Sequence, residues 1–254
     1  MSRIARIATL LSLAALFQGC LVYEYEHEFW LQVNGSGTVY VTGRPGLWSA
    51  FKGLGRPDAI EATVTRDAAR ALFERSGLRV RRVTLTRRDG RPYLFVSADF
   101  DDVNKLSGTP AFPDLRIGLR PEGERQRLEG TWVRPAATAD PDGGDRQGLM
   151  AVRFHLSAKV YEHKNAIEGV ERGNIVAWRQ DVAQALDGRG LEFGATTDRR
   201  SILHSTVGLF ALTIGVGLGI LGLALYLVFR RGQKRRGAVG TAAHRPDHRN
   251  GSER

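Results

Sequence analysis

Residues 206–229, TVGLFALTIGVGLGILGLALYLVF, run for 24 positions without a charged side chain. As a helix they reach about 36 Å, more than the roughly 30 Å hydrocarbon core of a bilayer. This stretch predicts one transmembrane helix and divides the 254-residue chain. Arg199, Arg200 and His204 precede it, and Arg230, Arg231, Lys234, Arg235 and Arg236 follow closely. Excess positive charge stays in the cytoplasm. The expected topology is therefore single-pass, with the domain before the span outside and the carboxyl tail inside. The tail, residues 230–254, has no apolar periodicity and reads as a basic, disordered cytoplasmic segment. Within the span, Ala211, Gly215 and Gly219 recur every four residues and share one helix face. Small residues so placed let two helices approach, which predicts self-association or a partner helix.

The amino terminus supports the same orientation. Arg3 and Arg6 precede an eleven-residue apolar run from Ile7 to Phe17, the length of a signal h-region and too short to cross a bilayer. Gly19 then precedes Cys20, the sole cysteine. The segment resembles the lipobox of bacterial lipoproteins. That resemblance implies diacylglyceryl transfer to the Cys20 thiol and removal of residues 1–19 as a lipoprotein signal peptide. The other reading is a signal retained as an uncleaved anchor.

The formal charge of +10 suggests a nucleic-acid binder until the chain is divided. Residues 21–205 hold 27 basic and 25 acidic side chains, so the basicity sits at the ends, where topology explains it. No nucleic-acid partner is expected. One cysteine leaves no disulfide framework and no thiolate zinc site.

Between the two membrane signals, residues 20–200 read as one extracytoplasmic domain. Residues 21–33 alternate strictly. Tyr23, Tyr25, His27, Phe29, Leu31 and Val33 share one face, and Glu24, Glu26, Glu28 and Gln32 the other. Asn34-Gly35-Ser36-Gly37 turns the chain into a second strand at 38–42. Two short helices follow, at 46–54 and, capped by Thr65, at 66–76. Strands are then expected at 78–86 and 93–100 around Asp89-Gly90, and at 114–119 and 126–133 around Pro121-Glu122-Gly123. Others are expected at 149–156, 158–162, 174–182 and 191–196. Residues 134–148 lack apolar anchors and read as a loop. The expected fold class is α+β: a curved antiparallel sheet with two short helices on one face, followed by the single transmembrane helix.

The domain offers no catalytic pattern. There is no G-x-S-x-G elbow, no S-x-x-K and no H-E-x-x-H, and neither a cofactor nor a metal is expected. His155 and His163 lie eight apart, but the turn expected between them spoils a shared ligand face. Glu24, Glu26 and Glu28 form an acidic row with no matching base, either a solvated strand face or a cation site. Trp48 and Phe51, on the first helix, point inward and line either a packed core or an apolar ligand cavity.

Four features together resemble the LppM-like bacterial lipoproteins. Cys20 leads directly into an amphipathic strand. Asn34-Gly35-Ser36-Gly37 stands where the family has an acidic residue before a Gly-Ser-Gly turn. Gly173-Asn174-Ile175-Val176-Ala177-Trp178 is similar to the family's G-N-x-V-x-W strand, and one transmembrane helix with a basic tail closes the chain. The resemblance implies a non-enzymatic envelope lipoprotein whose α+β domain binds a lipid or an envelope partner, with no catalytic residue to carry over. Two readings stand against it. One is a membrane-tethered signalling or assembly component acting through protein contacts. The other is an enzyme on envelope polymers, which the missing acid–base pattern disfavours.

Cys20→Ser is expected to abolish incorporation of a clickable fatty acid. Undiminished labelling of the variant would refute acylation at this position.

Overall fold

The computed structural model describes residues 23–54, 64–135 and 146–240. Cys20 and most of the loop at 134–148 lie outside the described residues. The chain separates into a unit ending at Ile202 and a second beginning at Leu203.

The first unit is α+β, and its strands form two sheets. In chain order the elements are β1 Tyr25–Leu31, β2 Gly37–Gly43, α1 Pro45–Lys52, α2 Arg66–Arg75, β3 Arg79–Arg88, β4 Arg91–Phe100, β5 Leu115–Glu122, β6 Arg125–Trp132, β7 Leu149–Leu156, β8 Val160–His163, β9 Ile167–Glu171, β10 Ile175–Asp181, α3 Val182–Leu186 and β11 Leu191–Asp198. Seven strands make one sheet in the order β3-β4-β2-β1-β7-β10-β9, and four make the other, β5-β6-β11-β8. The antiparallel expectation holds for every pair but one. At the centre of the larger sheet β1 runs parallel to β7, with Phe29 opposite Phe154 and Trp30 opposite His155. The pairing joins segments more than a hundred residues apart, and a parallel pair needs a long crossover rather than a turn. The expectation of a single curved sheet is likewise replaced by two sheets.

Local chemistry explains the helices and turns. Pro45 sits in the first turn of α1, where its missing N–H costs nothing, and Gly53 ends the helix in the left-handed conformation at φ 62°. Thr65 caps α2, its side chain accepting from the Ala68 N–H at 3.2 Å. Asp89 and Gly90 both take positive φ, the two-residue turn that suits a twisted hairpin. Sequence pattern missed β9, whose pairing with β10 is interrupted by a register shift. It also missed α3, where the strand ending at Asp181 gives way to a single helical turn and a half.

The core lies on the face of the larger sheet that bears Tyr25, Phe29, Leu31, Val39, Val41, Leu94, Val96, Val152, Phe154 and Trp178, all buried. Against it pack α1, α2 and the inner face of the smaller sheet, with Leu115, Leu128, Trp132 and Phe193. Aromatic rings dominate the contact. Phe29 stacks on Phe154 at 4.8 Å, and Phe51 meets Tyr25 at 4.8 Å and the Trp132 ring at 4.6 Å, both edge-on. Gly130 is required here: a Cβ would sit 2.4 Å from the Arg116 carbonyl oxygen and equally close to the Phe193 ring.

The second unit is helical. The helix α4 runs Ile202–Gly240, and within it Thr206–Leu227 is long and apolar enough to cross a membrane. The expected disorder from residue 230 is corrected over 230–240, which stay helical. This stretch contains no proline, and Arg, Lys and Gln are good helix formers. Residues 241–254 lie outside the described residues.

Trp48 has no exposed surface and packs against Tyr25 at 6.2 Å and Phe73 at 6.1 Å. Trp48→Ala is expected to cost about 3–5 kcal/mol of folding stability. Urea unfolding of the purified chain in detergent, followed by circular dichroism, checks it. A loss below about 1 kcal/mol would mean the ring faces an open space rather than packed neighbours.

Candidate functional site

A groove of about 750 Å³ lies against the four-stranded sheet. Strand register builds its floor. Glu129 on β6 stands opposite Gly118 on β5 and opposite Gly194 on β11, so one carboxylate is flanked by two positions without side chains. One row along, Arg116, Thr131 and Glu192 stand side by side; on the other side of the trough lie Arg120, Arg127 and Thr196. Glu162, His163 and Lys164 close the β8 edge.

Charges in this groove alternate and largely pair. Arg120 meets Glu129 at 3.5 Å, Arg125 meets Glu162 at 3.8 Å, and Lys164 pairs with Glu192. Arg127 grips Glu122 through two hydrogen bonds of 2.9 and 2.8 Å, which holds that carboxyl below the usual range. The Ser107 hydroxyl donates to the Ile117 carbonyl and accepts from its N–H, and His163 Nδ1 accepts from the Ala166 N–H. The groove's serine and histidine are thus engaged with the backbone, and no nucleophile is paired with a base. The groove is lined by charged and polar side chains together with glycines.

The expected site residues fall elsewhere. Trp48 and Phe51 are fully buried in the core, and neither lines any of the three described grooves. His155 and His163 stand in different sheets. Ala211, Gly215 and Gly219 lie along α4, with nothing within 4 Å of where a Cβ would stand on either glycine. The acidic row is corrected. Glu24 pairs with Arg44 at 3.0 Å and accepts from the Tyr93 hydroxyl; Arg153 lies 3.7 Å from Glu26, and His155 is 2.7 Å from Glu28. Parallel β7 supplies two of those bases, and His155 also stacks on Trp30 at 4.1 Å. Among the described residues no three His, Cys, Asp or Glu side chains converge to hold a metal.

Sequence reasoning missed a polar cluster inside the core. Lys52, at the end of α1, reaches Asp114 at 3.3 Å, and both side chains are completely buried. The Trp132 indole N–H donates to the other carboxylate oxygen at 2.9 Å. His27 lies over that oxygen at 3.9 Å, and neither imidazole nitrogen has a hydrogen-bond partner among the described residues. Burial pushes the Asp114 carboxyl up, with Lys52 and Trp132 opposing, and pushes Lys52 down, with Asp114 opposing. Burial and then the Lys52 charge hold His27 well below 6.5. A lysine ending an amphipathic helix reads as solvated; only the position of Asp114, sixty residues on, reveals otherwise.

No family model matches the sequence, and no curated protein does. Among solved structures, the fold has a distant likeness to the folded domain of LppM from Mycobacterium tuberculosis, determined by NMR. The TM-score is 0.39 at 14% identity, over 72% of this chain and 94% of that one.

His27 gives the domain an acid-sensitive term. The native imidazole is neutral, whereas the unfolded one takes a proton near 6.5. Its stabilisation is therefore complete above that pH and is lost as pH falls below it, at up to about 1.4 kcal/mol per unit. The raised Asp114 carboxyl works in the opposite direction, so the comparison must isolate His27. His27→Gln is expected to flatten the stability profile between about pH 6.5 and 5. Parallel profiles for the two proteins would remove the assignment.

Proposed function

We propose that this chain is a non-enzymatic, membrane-anchored envelope lipoprotein. In this reading Cys20 and α4 tether it to the inner membrane, the α+β domain stands outside, and the tail lies in the cytoplasm. The groove on the four-stranded sheet binds a lipid headgroup or an envelope partner. The observation that carries the reading is the exposure of α4. From Thr206 to Leu227 none of the helix is buried, and Phe210, Leu212, Leu218, Ile220 and Leu223 each expose about 60% or more of their surface. So much apolar area is stable only where a bilayer removes it from water. The groove's paired charges support a polar ligand, and the absence of an acid–base pair there supports binding rather than catalysis.

The alternative is a membrane-tethered signalling or assembly component. The open faces of Gly215 and Gly219 favour it. In that case Gly215→Leu with Gly219→Leu would abolish self-association, while charge changes in the groove would have no effect.

Topology is tested with a reporter active only in the cytoplasm. It is expected to work when fused after Arg236 and to fail when inserted within residues 136–147. The reverse pattern would turn the molecule over and remove the envelope reading.

A further inference from the structure

Residues 79–92, which form β3, its turn and the start of β4, contain six arginines and one aspartate, a net charge of +5. The rest of residues 21–205 carries 21 basic and 24 acidic side chains, a net −3. The domain is therefore mildly acidic apart from one strongly basic ribbon. All six arginines are exposed. Arg79 pairs with Asp101 at 2.8 Å and Arg81 with Asp99 at 2.6 Å, while Arg91 lies 4.0 Å from Glu24. Arg82, Arg87 and Arg88 have no ion pair among the described residues.

Two further features concentrate at the tip. Arg88 stands directly opposite Arg91 across the turn, a like-charge pair that weakens a hairpin. Leu85, three positions before Arg88, is 52% exposed and shares its strand face with Arg87, whereas Arg82 and Arg88 are on the other face. The tip also lies where the described chain begins, because both the Tyr93 hydroxyl and Arg91 meet Glu24. Only two residues, Leu21 and Val22, separate Tyr23 from Cys20, a reach of about 11 Å at most.

We infer that the β3–β4 ribbon is a docking surface for the anionic headgroups of a phospholipid bilayer, with Arg82, Arg87 and Arg88 as the contacting cations and Leu85 entering the headgroup layer. Charge alone on an outer strand also guards against edge-to-edge pairing. One or two charges serve that purpose; opposed arginines at a tip near an exposed leucine do not improve it. Each guanidinium that faces an anionic surface adds about fivefold to affinity, and Arg88, which lies 5.0 Å from the centre of the Tyr93 ring, leaves that ring to do so. The placement near the bilayer rests on the lipoprotein reading of Cys20, whereas the charge pattern does not.

The test uses the full chain in nanodiscs of phosphatidylcholine, with and without about 30% phosphatidylglycerol, followed by amide exchange of residues 85–93. Exchange at the tip is expected to slow about tenfold on the anionic discs and to recover at about 0.5 M salt. The triple variant R82E/R87E/R88E is expected to exchange equally on both discs, while its β1 and β7 amides keep wild-type protection, which shows that the fold survives. Equal wild-type exchange on the two compositions overturns the proposal, as does protection by soluble heparin without protection by the anionic discs. A chain that fails to enter discs refutes the membrane-span reading instead. The same comparison is then made with vesicles of the two compositions added to the free chain, and the same outcomes decide it. The basic residues that follow the span would also respond to anionic discs, but the readout is confined to the tip.

Discussion

One buried ion pair ties the layers of this domain together. Lys52 comes from α1, Asp114 from the approach to β5, the indole that donates to Asp114 from β6, and His27 from β1 at the middle of the larger sheet. The Lys52 ammonium also lies 4.7 Å from the centre of the Phe112 ring. Desolvating two charges costs several kcal/mol each, and attraction offsets this only with close geometry and further hydrogen bonds. Asp114 obtains them from Lys52 and Trp132. The pair therefore adds little net stability compared with an apolar pair of the same shape. Its effect is on specificity. A register slip in β6 would remove the indole, and a rotation of α1 would bury an ammonium without its counter-ion.

The strands were legible because one face of each is buried. In β1 the alternation of apolar and acidic residues survives intact, and Tyr25, His27, Phe29 and Leu31 are all inside. Thr65 and Asp89-Gly90 were legible because caps and tight turns depend on local chemistry. Pairing between distant strands leaves no local trace. Nothing near Glu26 or Glu28 predicts Arg153 and His155, since it is the parallel β1–β7 ladder that delivers them. The groove was illegible for the same reason. Gly118 and Gly194 are unremarkable in sequence and become a trough only when both flank Glu129. The helical extension past residue 230 escaped notice because a basic stretch without apolar periodicity reads as disordered, while helix propensity favours continuation.

Composition misled in a related way. The whole-chain charge of +10 hides a domain close to neutral, and that near-neutrality hides a basic ribbon on an acidic body. Averages over a chain, or over a domain, discard the arrangement that sets long-range attraction. The field at a surface depends on charges within about one Debye length, near 10 Å. At that scale Asp101, Asp99 and Glu24 offset Arg79, Arg81 and Arg91, and the excess positive charge rests on Arg82, Arg87 and Arg88.

The points where the folded unit continues into its flanking segments lie at opposite ends of β1. The chain leaves toward Cys20 from the Tyr25 end. At the other end the Ser157 N–H donates to the Leu31 carbonyl, and the Ile202 N–H donates to the Ser157 carbonyl. Seven residues of strand separate the two points, about 20 Å. With Cys20 acylated, both connections are short. A single tether restrains position but leaves the domain free to tumble; a second at the far end of a rigid strand restrains orientation as well. Surface contacts then form at high effective concentration, with most of the lost rotational and translational freedom already accounted for by the tethers. Were both tethers in place, the arginines of the β3–β4 tip would meet a headgroup layer at a far higher effective concentration than on a freely diffusing domain.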